Sequence, residues 1–272
     1  MMNFSFRRVG LLVKKDISEN KKPFLLKIGL MYGVIAMVSI LISLVQSESY
    51  YDVESYILYN YLDGGEDPSW DMQMAMYGFF FTLFGCLSAA SVFENMKNKT
   101  SRLSALMVPA TMLEKYISRL LLFLVTFVPI FLFGCLLGEF IRYISMFAIY
   151  HGSDMLKFMS LSYIWQYISD EDFWLMVLGV VFWQSVYTLG SSIWPKNSFL
   201  KTFVAVWVIL LALAVFLAVV VGIIFDFDKK YAPDAFLKLP DALGYIMTVG
   251  AILFNYTLAY FRLKESEIIH RM

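Results

Sequence analysis

The stretch FENMKNKTSRLSALMVPATMLEKYISR, residues 93–119, carries five basic side chains in a chain that is 60% hydrophobic. Apolar runs lie on both sides of it, at residues 72–93 and 117–138. A hydrocarbon core about 30 Å thick is crossed by roughly 20 helical residues, so each run is long enough to span a membrane. The stretch is therefore predicted to be a charged loop between two transmembrane helices.

The composition of the whole chain agrees with this prediction. The 272 residues are 18% aromatic and only 16% charged, with a mean hydropathy of +0.67, far more apolar than a soluble domain. Six runs have the length of a span, which predicts an all-α polytopic membrane protein whose residues 1–272 form a single transmembrane domain. The predicted spans are residues 24–45, 72–93, 117–138, 173–194, 203–225 and 242–261.

The first run has two interpretations. A cleaved signal peptide has an apolar region of about 7–15 residues and then a site of small residues. Residues 24–45 form a longer run, and SLVQS at 43–47 lacks the small-x-small pattern of a cleavage site. Lys27 lies near the start of the run, where its amine can extend to the interface. We therefore expect this run to be retained as the first span.

The distribution of charge predicts the orientation. If the N-terminus is inside, most of the 22 Lys and Arg residues fall on the inner side and most of the 22 acids on the outer side. Lys and Arg near span ends stay cytoplasmic, so both termini are predicted to be cytoplasmic. The same rule excludes a seventh span at residues 143–169, which are predicted to form outer interfacial helices. The predicted outer loops are residues 46–71, 139–172 and 226–241, and the predicted cytoplasmic loop is residues 94–116.

Residues 3–22, ahead of Pro23, are predicted to form an amphipathic helix. One side of this helix is apolar and the other is basic, and Leu11 interrupts the pattern. The apolar side holds Phe6, Val9, Leu12, Val13 and Ile17, and the basic side holds Arg7, Arg8, Lys14 and Lys15. Such a helix lies in the headgroup plane of a membrane. The alternative is a solvated basic leader that only fixes the topology.

No catalytic or metal-binding motif is visible. The sequence contains neither a GxxxxGK[ST] phosphate loop nor an HExxH zinc motif, and His151 and His270 fall in an outer loop and the C-terminal tail. Cys86 and Cys135 lie in spans without a pairing motif and are expected to be buried apolar residues. The acids of the first outer loop form either a cation site or, more simply, a solvated negative surface. We expect no catalytic residue, no metal site and no directly bound cofactor.

The loop itself carries two helix signals. Thr111 and Glu114 have the spacing of a capping box, and Pro109 stops any helix that arrives from upstream. A helix is thus predicted to begin at Thr111 and to continue directly into the third span. Before the proline, Leu103 and Met107 share one side of a short predicted helix with Leu106. From the residues alone, this apolar side either contacts a partner or lies on the lipid surface of a loop that only fixes the topology.

The segment VPATMLEK, residues 108–115, resembles a Leu-Pro-Ala-Ser-x-x-Glu-Lys pattern after the second span of type-2 ATP-binding-cassette (ABC) exporter permeases in bacteria. Val108 replaces Leu and Thr111 replaces Ser, which leaves the capping chemistry intact. Residues 187–203 and 260–268 also look similar to this family. The N-terminal amphipathic segment is similar to the family's elbow helix, and residues 226–242 occupy the place of its outer re-entrant helices.

This resemblance implies a permease subunit of an ATP-driven exporter in the bacterial cytoplasmic membrane. Cytoplasmic ABC ATPase subunits would bind ATP and Mg, a second permease subunit would complete a homodimer or heterodimer, and membrane lipid would surround the complex; no nucleic acid is involved. The loop would contain a coupling helix that docks on the ATPase. The residues implied for this ATPase-coupling interface are Glu94, Lys97, Arg102, Leu103, Leu106, Met107, Pro109, Thr111, Glu114 and Lys115.

Two other functions remain open: an ATP-independent membrane scaffold and a secondary carrier. Ion-coupled carriers usually hold an ionisable residue within a span, whereas the predicted spans have uncharged middles. The substrate is unknown. Polar residues in the spans, namely Gln184, Ser185, Thr188, Asn255 and Thr257, are either substrate contacts or interhelical hydrogen bonds. Likewise, the pairs Gly29 and Gly33, and Gly134 and Gly138, serve either packing within one subunit or dimerisation.

Overall fold

A computed structural model of the protein describes residues 4–50, 69–150, 157–225 and 241–269. These ranges are helical apart from short connections and contain no strand. Six helical segments within them are long and apolar enough to cross a membrane, which confirms the predicted fold class and number of spans. His151, His270, most of the first outer loop and almost all of the predicted loop at 226–241 lie outside the described residues.

Ten α-helices are found in the described part of the chain. They are α1 (Phe6–Glu19), α2 (Lys21–Tyr50), α3 (Trp70–Ala90), α4 (Lys99–Met107), α5 (Met112–Leu120), α6 (Phe127–Tyr150), α7 (Leu161–Ser169), α8 (Glu171–Ile193), α9 (Ser198–Phe225) and α10 (Asp241–Ile269). A 3-10 turn at Glu94–Met96 precedes α4, and a π-helical turn at Leu121–Val125 joins α5 to α6. The third span is therefore built from α5, the π turn and α6 together.

Helix α1 is the predicted amphipathic helix and ends just before the proline-containing start of α2. Pro23 falls in the first turn of α2, where the missing backbone N–H costs nothing. Val9 is buried, whereas Phe6 and Leu11 are exposed. Helix α1 thus buries only part of its apolar surface against the protein, and its remaining apolar residues are free to enter a membrane surface.

The bundle is built around two sets of helix pairs. Helix α2 packs along α6, while α8 packs on α3, α9 and α10. A Cβ atom at Gly134 would lie 2.7 Å from the ring of Tyr32, and one at Gly138 would lie 2.9 Å from Ile35. These two glycines of α6 are therefore required for close packing on α2 within one subunit. Nothing described lies within 4 Å of a Cβ built at Gly29 or Gly33.

The π turn has an identifiable cause. Pro129, in the first turn of α6, has no backbone N–H to donate to the carbonyl of Val125, and its ring crowds that carbonyl. The helix widens just before it, so that the N–H of Thr126 donates to the carbonyl of Leu121 at 3.0 Å. The hydroxyl of Ser88 on α3 donates to the carbonyl of Phe123 within the turn. The third span is thus continuous but irregular at one point, which the sequence analysis did not predict.

Helix α6 runs to Tyr150, well past residue 138 where the span was predicted to end. Glu139 and Arg142, which were assigned to an outer loop, lie within this helix and are buried. The helix therefore continues past the predicted boundary, where the sequence predicted a loop, and it does contain charge. Arg142 Nε donates to Glu139 Oε2 at 2.9 Å, so the two charges offset each other one helical turn apart.

Neighbouring elements complete this buried network. Arg142 also donates to Ser69 Oγ at 3.2 Å and to the carbonyl of Lys157 at 3.0 Å, and the N–H of Met159 donates to Glu139. Residues 157–159 thereby pack against α6 at Glu139 and Arg142. Of residues 143–169, which were predicted to form outer interfacial helices, residues 143–150 instead continue α6, and residues 161–169 form the separate helix α7. A buried ion pair is tolerated in an apolar bundle only when its remaining donors and acceptors are satisfied in this way.

Candidate functional site

Helix α4 is held at its start and presents apolar side chains outward. The guanidinium of Arg102 donates to the carbonyl of Met96 at 3.1 Å, which ties the helix to the preceding 3-10 turn. The helix ends at Met107, two residues before Pro109, as predicted. Leu103 is 52% exposed and Met107 is 78% exposed, while the side chain of Leu106 lies outside the described residues. The apolar side of α4 is therefore not buried in its own bundle.

Helix α5 begins with the predicted capping box. The N–H of Glu114 donates to Thr111 Oγ1 at 3.3 Å, and the N–H of Thr111 donates to Glu114 Oε2 at 2.9 Å. Two backbone donors that have no partner inside the helix are thereby satisfied. The connection from Pro109 into α5 is consequently well defined in direction.

The carboxylate of Glu114 has a second set of partners, which the sequence analysis did not predict. Its Oε1 atom accepts from the N–H of Ser5 at 2.7 Å and from Arg8, whose Nε lies at 3.0 Å and Nη2 at 2.8 Å. Ser5 is the N-cap of α1, and its own side chain makes no capping hydrogen bond. The side chain of Glu114 is fully buried. One carboxylate therefore caps the beginnings of both α1 and α5.

The far end of α5 also contacts α1. Arg119 is buried, donates to the carbonyl of Val92 at 3.2 Å and lies 3.5 Å from Asp16 Oδ2. Burial raises the pKa of Asp16, although the positive charges of Arg119 and Lys15 act in the opposite direction. Desolvation therefore offsets part of the attraction between Asp16 and Arg119.

These polar contacts join α1 and α5 at both ends, and we refer to them as the α1–α5 clasp. Its members are Ser5, Arg8, Asp16, Glu114 and Arg119.

Helix α5 is anchored to the bundle by an aromatic cluster. The hydroxyl of Tyr116 donates to the carbonyl of Tyr256 on α10 at 2.8 Å. Its ring stacks on Phe93 with centroids 6.2 Å apart and planes 14° from parallel. Val92, Ala259 and Leu263 are buried in the same cluster. A displacement of α5 therefore acts directly on the end of α3 and on α10.

The charged residues assigned to the interface have different environments. Glu94 is half-exposed and its Oε2 atom lies 2.9 Å from the ammonium of Lys27 on α2, so its partner is internal. Lys97 is exposed, and Lys115 is half-buried on α5. Of the ten residues, Glu114 is thus enclosed within the protein, whereas Leu103, Met107, Pro109 and Lys97 lie on its surface.

The polar residues of the spans find partners within the bundle, either on a neighbouring helix or on the backbone of their own helix. Asn255 Nδ2 donates to Ser185 Oγ at 3.0 Å between α10 and α8, and the hydroxyl of Thr188 donates to the carbonyl of Gln184 at 2.8 Å. Thr257 donates to the carbonyl of Leu253 within α10. Of these contacts, only the one between Asn255 and Ser185 is an interhelical hydrogen bond, the structural alternative raised from the sequence. Within the described ranges no group of three His, Cys, Asp or Glu side chains is arranged to hold a metal ion.

No protein-family model matches this chain, and neither a curated protein nor a solved structure matches it. The resemblance of residues 108–115 to the ABC exporter permeases therefore stays an expectation from the sequence.

Proposed function

We propose that this protein is the permease subunit of an ATP-driven exporter in a bacterial cytoplasmic membrane, and that α4 docks on a separate ABC ATPase. The observation that carries the proposal is the position of α4. Its exposed apolar residues, Leu103 and Met107, stand on a short helix that leads through α5 into the third span.

The exposed apolar side of α4 fits a docking role. Neighbouring apolar side chains left on a surface mark sites of interaction with proteins or membranes. Helix α4 has nine residues, and an isolated helix of that length is marginal in water. Contacts such as the hydrogen bond from Arg102 to the carbonyl of Met96 hold α4 in place. Helix α4 can therefore transmit a force from a partner without unfolding.

The connections beyond α4 provide a route for force. Pro109 and the capping box fix the direction in which the chain enters α5, and the clasp fixes α5 to α1 at both of its ends. A force applied to α4 is therefore transmitted to α5, which moves as one rigid body. From there it reaches α6 through the π turn, and α3 and α10 through the Tyr116 cluster.

The energy for transport would come from ATP bound by another subunit. Its sequence has no phosphate loop, so ATP and Mg would be bound by the separate ATPase subunits. A second permease subunit would complete the transport pathway. The only buried charges described in α6, Glu139 and Arg142, are bonded to each other and to their neighbours, which gives no support to ion-coupled transport.

The test is affinity purification of the tagged protein from its native membranes in mild detergent, with identification of its partners and an ATPase assay. We expect an ABC ATPase to accompany the unmodified protein and to be lost when Leu103→Asp and Met107→Asp are combined. Leu161→Asp, which alters an exposed apolar residue of α7, is the matched control and should retain the ATPase.

A second arm examines transmission of force rather than docking. Thr111→Ala removes the hydroxyl that caps α5 and leaves α4 unchanged. The Thr111→Ala variant should keep the ATPase bound, and the rate of ATP hydrolysis should depend less on the presence of the permease. Purification without any ATPase in several detergents would overturn the proposal, and recovery of a partner that is not an ATPase would favour the scaffold instead.

A further inference from the structure

An apolar groove runs between α2, α3 and the beginning of α6. Its volume is about 260 Å³, far more than the roughly 10–15 Å³ that one water molecule needs. The walls are mainly apolar, and they include Ile28, Met31, Phe84, Leu87, Phe127 and Ile130. All three helices belong to predicted spans, so this groove lies at the depth of lipid chains.

One end of the groove is polar and basic. Lys27 and Ser91 line it there, and Lys27 also lines two adjoining cavities of about 260 and 300 Å³. Lys97 and Glu94 line both of those cavities. Lys27 contacts Glu94, while Lys97 forms no ion pair with the residues that the structure describes. The mouth of the groove therefore keeps an excess of positive charge.

We propose that this groove binds an anionic phospholipid, with one acyl chain between α2 and α3 and the headgroup phosphate at Lys27 and Lys97. A free phosphate would use the ammonium groups but not the apolar walls, and an uncharged lipid would use the walls alone. Only an anionic amphiphile matches both parts of the site. Lys27 lies near the start of the first apolar run, where its amine reaches the level of the headgroups.

The Lys27–Glu94 pair is part of this site rather than a stabilising contact. Both side chains are about half-exposed, and exposed ion pairs contribute little to stability. Glu94 holds the ammonium of Lys27 at the mouth, and it competes with a phosphate for that charge. Removal of the Lys27 charge should therefore weaken the binding of anionic lipid, and removal of the Glu94 charge should strengthen it.

The test measures lipid bound to the purified protein, without any ATPase, so that its outcome is separate from that of the docking experiment. The protein is placed in mixed micelles of phosphatidylglycerol and phosphatidylcholine, and retained lipid is quantified by native mass spectrometry. Lys27→Gln should lower the ratio of anionic to zwitterionic lipid by about fivefold, the effect of one cation near a lipid surface. Glu94→Gln should raise that ratio.

Two further variants and one competitor complete the design. Lys264→Gln, an exposed lysine on α10 away from the groove, should leave the ratio unchanged. Leu87→Trp fills the groove and should reduce the retention of both lipids. Inorganic phosphate should not displace the bound lipid, and displacement would indicate a site for free phosphate. If Lys27→Gln and Glu94→Gln shift the ratio in the same direction, or no more than Lys264→Gln does, the proposal is wrong.

Discussion

Replacement of Arg142 by methionine should strongly destabilise the end of the bundle opposite α4. Arg142 is fully buried and donates to Glu139, to Ser69 and to the carbonyl of Lys157. Methionine fills much of the same volume but leaves the carboxylate of Glu139 buried without its counter-charge. Removal of one partner from a buried ion pair costs about 3–5 kcal/mol, and we expect Arg142→Met to fall in that range.

The measurement is the free energy of unfolding of the purified protein in detergent, arranged as a double-mutant cycle. Glu139→Met combined with Arg142→Met leaves no unpaired charge, so the double variant should be more stable than either single variant. Lys15→Met is the control, because it breaks a half-exposed pair with Glu19 at 3.7 Å and should cost less than about 0.5 kcal/mol. The reasoning is refuted if Arg142→Met costs no more than this control, or if the two single effects simply add.

Two further predictions concern the clasp and the packing of α2 on α6. Glu114→Ala should speed hydrogen exchange of the α1 amides by about tenfold, since α1 loses both the cap at Ser5 and the contact with Arg8, whereas Glu94→Gln should not change it. Unchanged exchange in the Glu114 variant would mean that the lipid surface alone holds α1. Gly134→Ala should lower thermal stability because its Cβ would meet the ring of Tyr32, while Gly179→Ala, which has open space around it, should raise it. Equal effects of the two glycine variants would contradict the close packing of these helices.

Features encoded by neighbouring residues were predictable from the sequence. The capping box depends only on Thr111 and Glu114, three residues apart, and the end of α4 depends on Pro109. The spans follow from the length of their apolar runs, because each crossing of the lipid requires a helix of roughly 20 apolar residues. The apolar side of α4 follows from the helical spacing of Leu103, Leu106 and Met107, whereas the exposure of Leu103 and Met107 is seen only in the structure.

Features that depend on distant residues were not predictable in this way. Glu114 satisfies the spacing of a capping box, and nothing in that pattern indicates a second partner at Arg8, 106 residues away. Glu139 and Arg142 suggest a loop when each is counted as a separate charge, whereas together and with Ser69 they form a satisfied pair inside a helix. The function itself remains a prediction, since only the architecture that supports it has been observed.

The clasp also has a consequence for the order in which the protein is assembled. Arg8 is synthesised 106 residues before Glu114, which at about 5–20 residues per second corresponds to a delay of about 5–20 seconds. During this interval the membrane surface is the available partner for the exposed Phe6 and Leu11 of α1. The two spans α2 and α3 lie between α1 and α5 in the chain, so α1 and α5 are on opposite sides of the membrane if only one of these spans has crossed. Closure of the clasp is therefore incompatible with the crossing of only one of these two spans.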